Sequence, residues 1–264
     1  MTQDLVSLQK HAEQIVKTAA DKLKPYFGNV KYEQKSNADY FDVVTELDKS
    51  TEKTISSELE KVDPSFGFYG EEFGQARKGK RQWILDPIDG TSLFIRGIPF
   101  CSTMLALAEG PDVLISIIVN IANGDVYTAI KDGGAKKNGK AIKVSTRSLN
   151  EAYIGFEINR SIAGNNEIAE RFSSLSAPYK TMNSGWEFCM TAEGKLDGRI
   201  QKDPWGGIYD FAPGSLLVRE AGGIVNNIGE STFDYRNLNI IATNKRIYSE
   251  LTEGRDALFP VSKK

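Results

Sequence analysis

The sequence predicts a mixed protein of the α+β or α/β class, a single domain built as two tightly joined halves, 1–147 and 148–264. Three observations predict it. The first third carries apolar residues at helical spacing. From Phe100 the chain becomes a series of short apolar runs cut by turn pairs. After Ser145 strand-like and helix-like segments alternate. The 264 residues correspond to about 1.8 domains at the usual size, and a chain of this length can bury a core without disulfide staples.

Leu5, Leu8, Ala12, Ile15, Val16, Ala19 and Leu23 recur on one helical face, and Pro25 with Gly28 ends the run. A polar loop, Lys31 to Asn37, and the stretch Tyr40 to Thr45 lead to a second helix marked by Leu47, Thr51, Ile55, Leu59 and Val62, stopped by Asp63-Pro64. Phe66 to Tyr69 and Gln82 to Leu85 read as strands, the first running into Gly70-Glu71-Glu72 and the second into Asp86. Cys101 to Ala108, Val113 to Ile121 and Val126 to Ile130 are further strands. Asn123-Gly124 predicts a type I′ hairpin, and Asn138-Gly139 repeats the signal before a strand at Ile142 to Val144. The second half reads Tyr153 to Ile158 strand, Asn165 to Leu175 helix, Lys180 to Asn183 strand, Trp186 to Glu193 helix and Leu196 to Ile200 strand. A helix from Phe211 to Ala221, closed by Gly222-Gly223, precedes strands at Ile224 to Asn226 and Ile240 to Thr243, and a last helix spans Arg246 to Leu258.

Composition narrows the chemistry. Hydrophobic residues make up 40% and charged residues 26%, values of a folded chain rather than a disordered one. The net charge of -2, with no basic stripe beyond the short Lys263-Lys264 ending, speaks against nucleic acid as partner. The one histidine, His11, lies in the first helix and reads as a partly exposed surface residue. That sets aside a Ser-His-Asp triad, a histidine-bound zinc and a phosphohistidine carrier. Cys101 and Cys189 are too few for a disulfide framework. Neither a signal peptide nor a membrane span is expected, so a cytoplasmic setting is the default. Chemistry must then come from carboxylates, hydroxyls, backbone amides and a borrowed metal.

The most informative segment is Trp83-Ile84-Leu85-Asp86-Pro87-Ile88-Asp89-Gly90-Thr91. Pro87 fixes its own φ and holds Asp86 extended. The chain then reverses at Ile88-Asp89-Gly90, so both carboxylates can converge and the Ile88 carbonyl is left seeking a partner. Gly90 and Thr91 offer amides at a helix start, a place that suits an anion. Carboxylates beside a bound phosphate repel it unless divalent cations intervene, and Mg²⁺, with its preference for oxygen ligands, suits that role. A capped turn with aspartates at cap positions is the bland reading of the same residues.

The segment resembles the signature of the inositol monophosphatase family of metal-dependent, lithium-sensitive sugar-phosphate phosphatases. Three more stretches agree in order: Asp42-Val43-Val44-Thr45-Glu46-Leu47-Asp48, Gly70-Glu71-Glu72, and Tyr209-Asp210-Phe211-Ala212 through Glu220-Ala221-Gly222-Gly223, where the family usually begins Trp-Asp. The resemblance implies a layered α-β-α-β-α sandwich, usually a homodimer, acting on a small phosphorylated substrate. It assigns Glu71, Asp86 and the Ile88 carbonyl to one Mg²⁺, and Asp86, Asp89 and Asp210 to a second. Asp48 would support a weaker third ion or orient Thr91. It also gives Glu71 and Thr91 the attacking water and assigns the phosphate to the amides of Gly90 and Thr91, with Ser92 beside them. Hydrolysis would be direct, without a phospho-enzyme. Asp210 is read as the N-cap of its helix, with Pro213 three residues in. Glu46 and Glu72 read as solvated or supporting.

Departures from the pattern lie in the substrate region. Leu93 replaces an asparagine common in the family and reads as packing. Ser184-Gly185-Trp186-Glu187 stands where small residues commonly meet sugar hydroxyls. Trp186 and Glu187 are therefore either core and exposed surface, respectively, or a reshaped alcohol pocket, with Asp89, Gly185 and Asp210 also at the substrate. Asp203 stands where the family often has a hydroxyl acceptor, and Ala192-Glu193-Gly194 is similar to histidinol-phosphate phosphatases. Inositol monophosphate is the leading substrate. Two other classes compete: a haloacid-dehalogenase-type phosphatase, whose aspartates would be two rather than three apart, and a catalytically silent phosphate- or metal-binding regulator.

Overall fold

The computed structural model describes residues 2–34 and 43–262. Lys35 to Asn37, Tyr40, the Asp42 end of the early aspartate motif and the Lys263-Lys264 ending lie outside the described residues. In chain order, α1 (Thr2–Leu23) is followed by a two-residue ladder of β1 (Glu33–Gln34) with β2 (Val43–Val44), then α2 (Glu46–Val62). The Thr45 hydroxyl accepts the Leu47 and Asp48 amides and the Asp48 carboxylate accepts the Thr45 amide, a reciprocal cap that fixes where α2 begins.

Next come β3 (Gly67–Gly70), β4 (Gly74–Arg77), β5 (Arg81–Asp89), α3 (Thr91–Ile95), β6 (Ser102–Glu109), β7 (Asp112–Asn120), β8 (Val126–Ile130), β9 (Gly134–Lys137) and β10 (Lys140–Ala141). These strands form an eight-stranded sheet in the order β10-β9-β8-β7-β6-β5-β3-β4, antiparallel except where β3 runs parallel to β5. The second half supplies β11 (Tyr153–Ile158), α4 (Asn165–Leu175), β12 (Ala177–Lys180), α5 (Ser184–Ala192), β13 (Gly198–Lys202), α6 (Ile208–Glu220), β14 (Ile224–Asn227), β15 (Ile240–Thr243) and α7 (Lys245–Thr252). Its sheet has the order β12-β11-β13-β15-β14, with β12, β11 and β13 mutually parallel.

The strands read as unbroken apolar runs because both faces of the large sheet are covered. Trp83, Leu85, Leu105, Leu107, Ile115 and Ile117 face α1 and α2. Their neighbours Ile84, Met104, Ala106 and Ile118 face α5 and α6, which contribute Phe188, Phe211 and Leu217 to that core. Ala242 and Val225 of the small sheet close the same core from the other side. Beyond it, Phe172 of α4 and Ile247 and Leu251 of α7 pack on Ile154, Phe156 and Ile200. The layers therefore run α-β-α-β-α, as the resemblance implies.

Several boundaries differ from expectation. Asn138 and Gly139 both have positive φ, as a two-residue I′ turn demands, but at Asn123-Gly124 only Gly124 does. There the Asn120 side chain accepts the Asn123 amide and stabilises a longer loop instead. The strand after Asn138-Gly139 is β10, not Ile142 to Val144. The last helix stops at Thr252, short of Leu258, and Gly254 follows with φ 91°. Gly222 and Gly223 close α6 by donating back to Arg219 and Val218.

Candidate active site

Successive strand residues point to opposite faces, so aspartates three apart would ordinarily face apart. Pro87 prevents that. It cannot donate to the ladder, and the pairing of β5 with β6 shifts there: Asp86 lies opposite Met104 and Asp89 opposite Ser102. Three residues of β5 thus span two of β6, and both carboxylates emerge on the face that carries Met104, toward α5 and α6. The Thr103 hydroxyl donates to the displaced Pro87 carbonyl at 2.9 Å and holds the bulge.

Asp210 reaches this point from the first turn of α6. The atoms Asp86, Asp89 and Asp210 offer lie within 4.8 Å of one another. Asp89 Oδ2 accepts the Ser102 hydroxyl and the Gly185 amide, each at 2.9 Å, whereas Asp86 Oδ1 is buried with no hydrogen-bond partner. Glu71 follows the end of β3, and its amide donates to the Leu85 carbonyl, which places it beside Asp86. The buried Glu52 carboxylate accepts the next two amides, Glu72 and Phe73, and pins that turn.

Burial, followed by the charges of Glu71, Asp89 and Asp210, holds the Asp86 carboxyl well above the usual carboxylate range. Burial likewise pushes Asp89 up to about 6, against the opposing hydrogen bonds of Ser102 and Gly185. Asp210 is raised by loss of water and then by the charge of Asp89. An all-oxygen set of mutually destabilised acids around an orphaned buried oxygen fits a hard divalent cation.

Beside this cluster the Thr91 hydroxyl lies 2.9 Å from Asp48 Oδ1 and 2.9 Å from the Ile88 carbonyl. Its single proton serves one acceptor at a time, so turning toward Asp48 frees the Ile88 oxygen. Burial raises Asp48 to about 6, the Thr45 and Thr91 hydrogen bonds opposing it. Gly90 takes the left-handed conformation at φ 82° to start α3, and a Cβ there would press on the Asn183 side chain and the Phe100 carbonyl. The Thr91 and Ser92 amides, in the first turn, have no intrahelical acceptor.

A cleft of about 940 Å³ opens from Asp89, Gly90 and Asp210 across the C-terminal ends of the parallel strands β11, β12 and β13, the edge at which open α/β sheets take ligands. The structure brings Glu71, Asp86, Ile88, Asp89, Asp210, Thr91 and Asp48 into one neighbourhood, with Gly90 and Ser92 alongside. It revises four other expectations. Asp210 is not an N-cap: α6 begins at Ile208, and the Asp210 carboxylate reaches back to accept the Gly207 amide at 2.7 Å. Glu187 is neither exposed nor on the cleft wall. It is fully buried, paired with Arg199 and accepting from Thr181 and Met182, because a carboxylate in the middle layer needs such partners. Trp186 packs on Phe100 with ring centroids 4.4 Å apart and is not part of the cleft lining. Asp203 is occupied by Lys202 and Asn165 and also lies off the cleft wall.

Four supporting residues escape a reading of the sequence. Ser102 is found only through the β5–β6 register. Arg199 bridges Glu157 and Glu187 beside the cleft, and Asn183 caps α5 through the Trp186 amide. Glu52 alone left a signal, four residues after Asp48 and hence on the same face of α2.

The chain matches the inositol monophosphatase family over residues 4–258. It is 32% identical to an inositol-1-monophosphatase of Rhizobium meliloti (strain 1021) over 218 residues, 80% of this chain and 81% of the relative. It is 30% identical to a histidinol-phosphatase of Streptomyces coelicolor over 224 residues, 79% of this chain and 82% of the relative. The solved structure of a Thermotoga maritima IMPase superposes with a TM-score of 0.80 at 27% identity, covering 95% of each chain. Matched from near its first residue to near its last, this chain belongs to the inositol monophosphatase family and is a phosphatase, a phosphoric monoester hydrolase.

Proposed function

We propose that this phosphatase hydrolyses a small polyol or sugar phosphate, inositol monophosphate foremost, in a Mg²⁺-dependent reaction with direct in-line attack of water. The observation that carries the reading is the convergence of Asp86, Asp89 and Asp210 around a buried carboxylate oxygen without a partner. Two or three Mg²⁺ ions would be held by Glu71, Asp86, the Ile88 carbonyl, Asp89 and Asp210, with Asp48 in reach of a third. Ions held by these residues would supply a lowered pKa for water and compensation of charge on the attacking and leaving oxygens. The chain supplies the rest. Thr91, hydrogen-bonded to Asp48, orients the attacking water, Glu71 accepts its proton, and the amides of Gly90, Thr91 and Ser92 hold the phosphate oxygens. This division of labour uses no histidine, in keeping with a chain whose single one is exposed on α1.

The similarity to a histidinol-phosphatase favours a second reading, in which the alcohol is histidinol, or else a different sugar or a nucleotide. Inhibition by lithium, a homodimer and a cytoplasmic setting belong to the same proposal. Among the described residues no helix is long and apolar enough to cross a membrane. Phosphate release from inositol 1-phosphate, histidinol phosphate, fructose 1,6-bisphosphate and 3′-phosphoadenosine 5′-phosphate, each with Mg²⁺ and with chelator, tests the reading. Turnover of at least one ester only with Mg²⁺ is expected. Silence across the panel would favour a phosphate-binding regulator, and an acyl-phosphate trapped on Asp86 would favour the dehalogenase-type mechanism.

A further inference from the structure

We propose that Arg199 is a positioning residue for the acidic cluster: its guanidinium ties the start of α5 and the loop before α6 to one strand, so that Asp89 and Asp210 converge. The inference rests on the Mg²⁺-dependent reading above and adds to it a residue that acts through others.

Arg199 stands on β13, the central strand of the small sheet, and is 2% exposed. Its Nε donates to Gln201 at 2.9 Å, Nη1 to the Thr181 hydroxyl at 2.6 Å and also to Glu187, and Nη2 to Glu157 at 2.5 Å. Four of its five N–H groups are thereby engaged. The guanidinium carbon also lies 5.6 Å from the ring centre of Phe188 on α5 and 5.8 Å from that of Phe211 on α6. Both helices that reach the cluster therefore rest on the same flat cation.

Two chains of contacts run from Arg199 to the cluster. One passes through Glu187, which also accepts the Thr181 hydroxyl and the Met182 amide, each at 2.8 Å. That fixes the first turn of α5, where the Gly185 amide donates to Asp89 Oδ2. The other passes through Glu157, whose second oxygen accepts the Trp205 amide at 3.1 Å. Gly206 comes next, with φ 97°, so close to Asp210 that a Cβ would strike its carboxylate, and the Gly207 amide donates to that carboxylate. A buried guanidinium with two carboxylates gains little stability over packed apolar side chains of the same volume. What it supplies is direction. A planar fork holds several acceptors at set angles, whereas an ammonium on a flexible stem does not.

Arg199→Lys keeps the charge and removes the fork. Amide hydrogen exchange in chelator, followed by mass spectrometry, reads the tie without metal. Segments 182–188 and 203–210 should both exchange at least about tenfold faster in the variant, while α1 and α4 keep their protection. With inositol 1-phosphate, the Mg²⁺ concentration for half-maximal rate should rise about tenfold and kcat should fall, with KM for the ester little changed. Should Arg199→Lys fail to fold, Thr181→Val removes one hydroxyl at the edge of the network and should move the same readings about fivefold. Unchanged exchange in either segment, or an unchanged Mg²⁺ requirement in the variant that folds, overturns the proposal. If the ester is not hydrolysed, Mn²⁺ binding followed by electron paramagnetic resonance takes the place of the kinetics. Binding weakened about tenfold in Arg199→Lys supports the proposal, and equal binding overturns it. An unaltered protein that binds no Mn²⁺ ends the metal reading, and this inference with it.

Discussion

Asp89 shows how a single side chain can be costly to the fold, and in the function proposed above it is also needed for the reaction. Its carboxyl is pushed from 3.8 up to about 6 by burial, so between those values the native protein binds more protons than the unfolded chain. In metal-free protein, stability from this group is therefore full below pH 3.8 and is lost as pH rises through about 6. The rise is worth roughly 3 kcal/mol, or several degrees in Tm. Asp89→Asn keeps an oxygen for Ser102 and Gly185 while removing the charge. It should therefore raise the Tm of the metal-free protein at pH 7.5, with the gain vanishing near pH 4. The same variant should lower phosphate release by more than about a hundredfold, since even residues supporting a metal ligand cost ten- to a hundredfold. Calorimetric scans across pH, with and without Mg²⁺, check both halves. A destabilised variant at neutral pH in chelator would contradict the electrostatic account.

Elements meet at the site through close approach. The start of α5 lies against β5 and β6 because residue 185 has no side chain. A Cβ there would stand 2.6 Å from Asp89 Oδ2 and 2.7 Å from Met104 Sδ, and would also strike the Ser102 hydroxyl. Gly185→Ala should displace α5 or Asp89, lowering kcat at least about tenfold and weakening Mg²⁺ activation, while substrate concentration dependence changes less. Steady-state kinetics over a Mg²⁺ series would show it, and an unchanged Mg²⁺ dependence would refute the contact. Legibility also varied by element. The bounds of the strand Tyr153 to Ile158 and the helix Asn165 to Leu175 follow from the sequence to the residue, because apolar period and turn signals agree there. Strand β4 (GQAR) leaves no apolar signal because it is the edge of its sheet, and β9 (GAKK) leaves little because only Ala135 of it is buried. Helix α6 begins at Ile208 rather than Phe211, and the sequence hides that start because every residue from Phe211 to Val218 is buried, which erases the amphipathic period that marks a helix end.

At the scale of the whole molecule, the two sheets face each other across α5 and α6, and each presents the C-terminal edge of parallel strands to the same hollow. The β3–β5 pair brings Glu71, Asp86 and Asp89, and β11, β12 and β13 bring the cleft. The acidic cluster is legible because carboxylates, Pro87 and Gly90 are contiguous and chemically unusual together. The substrate side was not, since whether Glu187 or Asp203 meets the cleft depends on partners such as Arg199 and Asn165 that lie 12 and 38 residues away in sequence. Crystals grown with Mn²⁺ in place of Mg²⁺, with anomalous scattering recorded at the manganese edge, give the most direct test of the carboxylate cluster. Peaks bounded by Asp86, Asp89 and Asp210 are the expected result. Manganese absent from that hollow, or bound only at surface carboxylates elsewhere, would contradict it.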